Sequence, residues 1–476
     1  MLRRLLLGIL ILGLLTGKNE NQAFQNGETV GFMGDSITHA EYSEINYTHV
    51  LYNYYVTHMP EVEIELRNLG VGGATVLNGI ELYKKDPAAA GLDRVVLEYG
   101  INGLKRNLYE NTEIYEESRE EREENLEEYR ENLAVFLKML EEDGIKCDEI
   151  YTTTLAVPCN KYQEDAGDSD ELQSLVQKGY QSVSDITREV AEEQQVGLIE
   201  FQEPLTELAE TLSEREPKGS IMQQDLLHVN TDGQIYLAYL FLQQQGALRD
   251  VSSVEFEKGK IYSEDAHVSN LHYKDGYIYY DYRSERLPMG VSDEYYEADA
   301  SLDILDKLNR EIIQVQDLQA DAVYDIYING ERIGSYSGKE FAEGVNIANV
   351  RENPAQRFAA VVEQMNRGRR AAELAYRKKV QDFTDCGSGE VTEDELLKAY
   401  EIWKEEDTTY RKNMYELVSE EIQVTERIAI VQQGVEAPEA AFRIPGRNYK
   451  KVAAAVLAVG AVLGSLFYYW RKKKKQ

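Results

Sequence analysis

Two short groups in this chain hold the residue types that nucleophilic acyl chemistry requires: Gly34-Asp35-Ser36 and Asp225-Leu226-Leu227-His228. A serine hydroxyl becomes a useful nucleophile when a neighbouring imidazole removes its proton. A carboxylate on the far ring nitrogen then fixes the tautomer and stabilises the imidazolium. Asp225 lies three residues before His228, so one turn of backbone brings its carboxylate to Nδ1. Ser36 would be the nucleophile and His228 the base. His39 is a rival base only three positions after Ser36, but on a following helix it sits a turn away. His49, His58, His267 and His272 have no partner pattern, and neither a metal nor a cofactor is expected.

The elements around Ser36 fit that chemistry. The apolar run 30–33 stops at Gly34, and a helix is predicted over roughly 39–58. A strand, a tight turn and a helix lift a side chain to the carboxyl edge of a parallel sheet, where open α/β sheets carry their sites. There the backbone N–H of Ser36 lies at a helix N-terminus, which favours developing negative charge. Asp35 is read as supporting the turn. The Gly-x-Ser-x-Gly elbow of another hydrolase fold is absent. Five short β-leaning runs, 29–33, 62–68, 94–99, 149–154 and 196–201, alternate with helical segments. That alternation predicts an α/β fold, a parallel sheet covered on both faces. Between the third and fourth runs, Leu126, Tyr129, Leu133, Phe136, Leu137 and Leu140 recur at spacings of three and four, as on a surface helix with a charged outer face.

Two further groups lie between the first and the last. They are Asn68-Leu69-Gly70-Val71-Gly72-Gly73-Ala74-Thr75 and Glu98-Tyr99-Gly100-Ile101-Asn102-Gly103. In this order the four groups resemble the blocks of the SGNH (GDSL-type) hydrolase family, over about 27–249. The resemblance implies a three-layer, flavodoxin-like α/β/α sandwich on a parallel five-stranded sheet. It also implies an oxyanion hole from the backbone N–H of Ser36, the N–H of Gly73 and the side chain of Asn102. Gly70 and Gly72 are the neighbours that a shifted alignment would promote. The family's third block usually continues Asn-Asp, whereas here Gly103 follows Asn102. The activity expected is ester hydrolysis through an acyl-enzyme, the substrate an O-acyl and especially O-acetyl group on carbohydrate. The alternatives are a lipase, lysophospholipase or thioesterase with the same triad, or an inactive surface binding protein.

The remaining sequence sets the context. With 51 basic against 85 acidic residues, the net charge of −34 repels nucleic acid and other polyanions. Cys147, Cys159 and Cys386 form neither a disulfide framework nor a metal-ligand spacing. A hydrolase domain is expected at 25–249, a β-rich accessory module at 250–350 with hairpins about Asp275-Gly276 and Asn329-Gly330, and a helical hairpin at 351–433. Residues 1–24 read as a signal peptide or signal anchor. After a linker at 434–451, the apolar run 452–470 has bilayer-spanning length, ends in aromatics and precedes a basic tail at 471–476. The positive-inside rule puts that tail in the cytoplasm and the hydrolase outside, at the cell membrane. Gly460 and Gly464 form a small-residue pair through which two spans could associate as a homodimer.

Overall fold

The computed structural model describes residues 22–43, 45–109, 111–159, 170–215, 220–225, 227–299, 302–384 and 389–445. The predicted signal stretch up to residue 21, Cys386, Gly460 with Gly464, the span 452–470 and the basic tail lie outside the described residues. Among the described residues no helix is long and apolar enough to cross a membrane. The chain divides into two compact units, neither continuous in sequence: 22–48 with 64–247 and 374–401, and 49–63 with 248–373 and 402–445.

The first unit is built on the predicted parallel sheet. Its elements run β1 (Thr29–Gly34), α1 (Ser36–His39), the start of α2 (Tyr47–His58), β2 (Glu65–Asn68), α3 (Val76–Lys85), β3 (Arg94–Glu98), α4 (Thr112–Glu117), α5 (Arg119–Glu142), β4 (Ile150–Thr153), α6 (Asp170–Gln194), β5 (Gly197–Ile199), α7 (Gln202–Arg215) and α8 (Thr231–Gln244). All five strands are parallel, in the order β2-β1-β3-β4-β5. Every residue of β3 is buried, as expected of a parallel strand covered on both faces. The chain leaves β1 for β2 on one side and returns to β3 on the other. Right-handed crossovers in opposite directions therefore put helices on both faces, with a switch point between the carboxyl ends of β1 and β3. Of the predicted stripe on α5, Tyr129, Leu133, Phe136, Leu137 and Leu140 are buried and Leu126 is half-buried.

The helix expected over 39–58 is corrected to two. The short α1 ends where Ala40 takes a left-handed conformation (φ 42), and α2 begins only at Tyr47. Ser36 is thus the first residue of a one-turn helix rather than part of a turn ahead of a long one.

The second unit contains most of α2 and then β6 (Ser252–Glu257), β7 (Lys260–Glu264), β8 (Ala266–Lys274), β9 (Tyr277–Ser284), α9 (Asp293–Asp299), α10 (Leu305–Leu308), β10 (Glu311–Val315), β11 (Val323–Ile328), β12 (Glu331–Ser337), α11 (Gly338–Glu343) and β13 (Val345–Asn346). Two long helices follow, α12 (Pro354–Phe383) and α13 (Glu393–Glu421), and then β14 (Glu426–Gln432). Two sheets form, ordered β13-β10-β6-β7 and β12-β11-β14-β9-β8. Val254, Phe256, Tyr280, Ile313, Ile326 and Ile430 share one core between them. Both predicted hairpins are present, β8–β9 and β11–β12.

The helical region expected over 351–433 differs in two ways. It ends at Glu421, because the β-branched alternation Ile428-Ala429-Ile430-Val431 pairs as β14 between β11 and β9. Nor does it stand as a unit of its own, since 374–401 belongs with the first unit and the rest with the second. The expected linker starts inside the second unit, where Ala441 is buried against Tyr279 and Val431.

Candidate active site

Ser36 stands at the carboxyl end of β1, at the switch point of the sheet. Asp35, before it, caps α1: its Oδ1 accepts the Ile37 N–H at 2.9 Å, while its own N–H donates to Glu98 O at 3.2 Å. This ties the serine turn directly to the end of β3. Ser36, opening α1, has no carbonyl four residues back within the helix, so its N–H is one of the orphan donors of a helix start.

The late group Asp225–His228 approaches from the loop before α8. A small antiparallel bridge, Met222 with Val229, and the Gln223 N–H on His228 O at 2.7 Å fix the backbone. Asn230 then starts α8 by accepting the Gly233 N–H at 3.0 Å. So held, His228 puts Nε2 at 2.8 Å from Ser36 Oγ and Nδ1 at 2.5 Å from Asp225 Oδ2. The other Asp225 oxygen accepts the N–H groups of Leu227 and His228, both at 3.0 Å. Burial pulls the Asp225 carboxyl upward, but the hydrogen bonds from the His228 ring and the two backbone amides outweigh it, leaving it below its ordinary range. A carboxylate, an imidazole and a hydroxyl in series are the arrangement that general-base activation of a serine needs.

Gly73 and Asn102 come from the loops after β2 and β3. The first loop is bound to β1 by Leu69 N–H on Phe32 O at 2.7 Å and Val71 N–H on Gly34 O at 3.0 Å. Gly70 packs so tightly on α1 that a Cβ there would lie 2.4 Å from the His39 backbone nitrogen. Gly73 has φ +79, a conformation that suits glycine, and nothing stands within 4 Å of where its Cβ would be. Asn102 donates from Nδ2 to Ala74 O at 3.1 Å and, at a longer 3.4 Å, to Asp35 Oδ2. The loops carrying Ser36, Gly73 and Asn102 are therefore mutually hydrogen-bonded. His39 is not part of the chain of bonds; its ring lies beside Gly72. His49 and His58 are buried in the second unit, where burial pushes them down to about 4 and about 3, and neither belongs to this site.

Residues 30–241 match the GDSL-like lipase/acylhydrolase family. This part of the chain is a GDSL-like lipase/acylhydrolase domain, the domain of an ester-bond hydrolase. A solved structure of a gut microbial diltiazem-metabolizing enzyme shares the fold beyond the GDSL domain: the match covers 87% of this chain and 99% of that one, with a TM-score of 0.72 and 21% identity. An acetylxylan esterase from Geobacillus stearothermophilus is 22% identical over 47% of this chain and 96% of its own, with a TM-score of 0.35. No curated protein sequence matches the chain.

Three residues of the GDSL domain's site carry little or no mark in the sequence. Tyr42 lays its ring against His228, centroids 4.7 Å apart, and Gln234 holds the Tyr42 hydroxyl at 3.2 Å. Glu98, at the end of β3, is buried beside Asp35; Thr38 Oγ1 donates to its Oε2 at 3.1 Å. A carboxylate closing the apolar run Val95-Val96-Leu97 was the available signal for Glu98; Tyr42 and Gln234 had none.

Two buried carboxyl groups side by side cannot both ionise cheaply. Burial raises both. Asp35 is pushed up to about 6, while Glu98 is held well above the ordinary range by burial first and by the charge of Asp35 second. Asp35 thus ionises first, and Glu98 keeps the proton between them. Unfolded, Glu98 would lose that proton near pH 4.3, so above about pH 6, where Asp35 has ionised in the folded chain, this pair binds one proton more in the native state than in the unfolded state. Unfolding free energy then falls with rising pH, by about 1.4 kcal/mol per pH unit for one proton. For Glu98 the loss runs from the ordinary carboxylate range up to its folded pKa, and below about pH 6 the raised Asp35 adds a second proton to it. Glu98→Gln, which keeps an acceptor for Thr38 and has no proton to lose, is expected to flatten this slope. Denaturant melts of both proteins from about pH 6.5 to 9, above the titration of Asp35, check it; parallel stability curves would contradict a neutral Glu98.

Proposed function

We propose that this chain is a serine esterase that works through an acyl-enzyme and removes O-acyl groups, above all O-acetyl groups, from carbohydrate. Ser36 attacks the ester carbonyl, His228 takes its proton and returns it to the leaving alcohol, and Asp225 holds the imidazole in the required tautomer. The observation that carries this reading is the unbroken chain of hydrogen bonds from Asp225 through His228 to Ser36 Oγ, at 2.5 and 2.8 Å. The tetrahedral oxyanion is met by the N–H groups of Ser36 and Gly73 and by Asn102. The weak 3.4 Å contact of Asn102 to Asp35 is the one that turns to the substrate oxygen.

The acetyl-carbohydrate assignment is supported by the resemblance to the GDSL-type esterases. The charge of −34 adds to it, because it opposes approach to anionic lipid headgroups. We infer also that the run 452–470 anchors the chain in a membrane with the esterase outside. Its support is the length of the run, its aromatic end and the basic residues 471–475.

Nitrophenyl esters of increasing acyl length test the substrate class. kcat/KM is expected to be highest for acetate and to fall at least tenfold by octanoate. A profile that rises toward eight carbons would replace this reading with a lipase or thioesterase.

A further inference from the structure

The loop that carries Gly73 is held on its outer side by α12, which lies outside the segment that matches the GDSL family. The N–H groups of Leu69 and Val71 point inward to β1, and the carbonyls of Leu69, Gly70 and Gly72 are met by the last turns of α12. Arg377 is fully buried there. Its Nη2 donates to Leu69 O at 2.9 Å and its Nε to Gly70 O at 3.2 Å. Its Nη1 pairs with Asp86, which Tyr376 also reaches. Asp86 closes α3, the helix that begins just after the loop, so the guanidinium ties the start of the loop to the far end of that helix. One turn further along α12, Gln381 Nε2 donates to Gly72 O at 3.1 Å.

This last bond has a consequence for catalysis. The carbonyl of Gly72 and the N–H of Gly73 belong to one peptide unit, planar and trans, and point in opposite directions. Fixing Gly72 O on the α12 side therefore fixes the Gly73 N–H on the other. With glycine on both sides, little else prevents this peptide from turning over, which would present a carbonyl where a donor is needed. A hydrogen bond on the carbonyl also polarises the unit and strengthens its N–H as a donor.

We propose that Gln381 is a positioning residue for the oxyanion hole: it holds the Gly72–Gly73 peptide with its N–H toward the acyl oxygen, on a loop that Arg377 braces. The proposal rests on Gly73 being an oxyanion donor. Gln381 sits half-buried on the last turn of its helix, and two replacements separate its hydrogen bond from its bulk. Gln381→Leu removes the donor; Gln381→Glu keeps the shape but offers a carboxylate, which cannot donate to Gly72 O. Both are expected to lower kcat on nitrophenyl acetate at least tenfold with KM within twofold. Affinity for a phenylboronic acid, which adds to a serine hydroxyl as a tetrahedral anion, should fall by the same factor as kcat.

Asn102→Ala in the same assays serves as the reference for the oxyanion reading itself. If Asn102→Ala loses both kcat and boronate affinity while both folded Gln381 variants stay within twofold of the parent, the role of Gln381 is overturned and the oxyanion reading stands. If Asn102→Ala also loses neither, the oxyanion reading fails as well. A change in KM alone for the Gln381 variants likewise overturns the proposal.

Discussion

Ser36→Ala is expected to lower kcat for nitrophenyl acetate by about a millionfold, the scale seen when the nucleophile of a serine triad is removed. The reason is local. Ser36 Oγ is the group to which His228 Nε2 is directed, at 2.8 Å, and a methyl group offers the base no proton to remove. The turn itself does not depend on the hydroxyl, because Asp35 caps α1 through Ile37 and binds β3 through Glu98 O. Thermal stability should therefore be nearly unchanged. His228→Ala should cost about as much, and the double variant no more than either single one, since the two groups act as one device. Hydrolysis by Ser36→Ala at the parent rate, in protein free of contaminating esterase, would remove Ser36 from the mechanism and with it the acyl-enzyme.

Much of this site is legible in the sequence because its parts lie at strand ends. Ser36, the glycine-rich loop and Asn102 each follow an apolar run that reads as a strand, so a parallel sheet gathers them at one edge. Asp225 and His228 are legible for a different reason: a spacing of three is enough for a carboxylate to reach its own neighbour's imidazole. The parts that were not legible depend on tertiary contacts. Ala40 turning left-handed after α1 has no strong sequence mark, since alanine favours helix. From sequence alone β14 reads as the tail of a helix, because a short apolar run fits either period and its neighbours β11 and β9 lie far off in sequence. Arg377 and Gln381 lie in the stretch that reads as a helical hairpin. Nothing in their local pattern indicated that their partners, Gly70 and Gly72, are 307 and 309 residues away.

Asp225→Asn is expected to lower kcat by about ten-thousandfold at neutral pH, the cost known for this change in a serine triad, with KM changed only a few-fold. The hydrogen bonds explain why so small a change is so costly. One Asp225 oxygen accepts from the backbone N–H groups of Leu227 and His228, and the other faces His228 Nδ1. An asparagine keeps the first set only with its own oxygen, which turns its NH₂ toward the ring. That NH₂ donates to Nδ1, so the single proton of the neutral imidazole moves to Nε2. Nε2 then faces Ser36 as a donor, and the ring cannot take the hydroxyl proton. The fold is undisturbed, so substrate binding and the oxyanion donors remain. A loss of less than tenfold would mean that Asp225 merely shapes the loop.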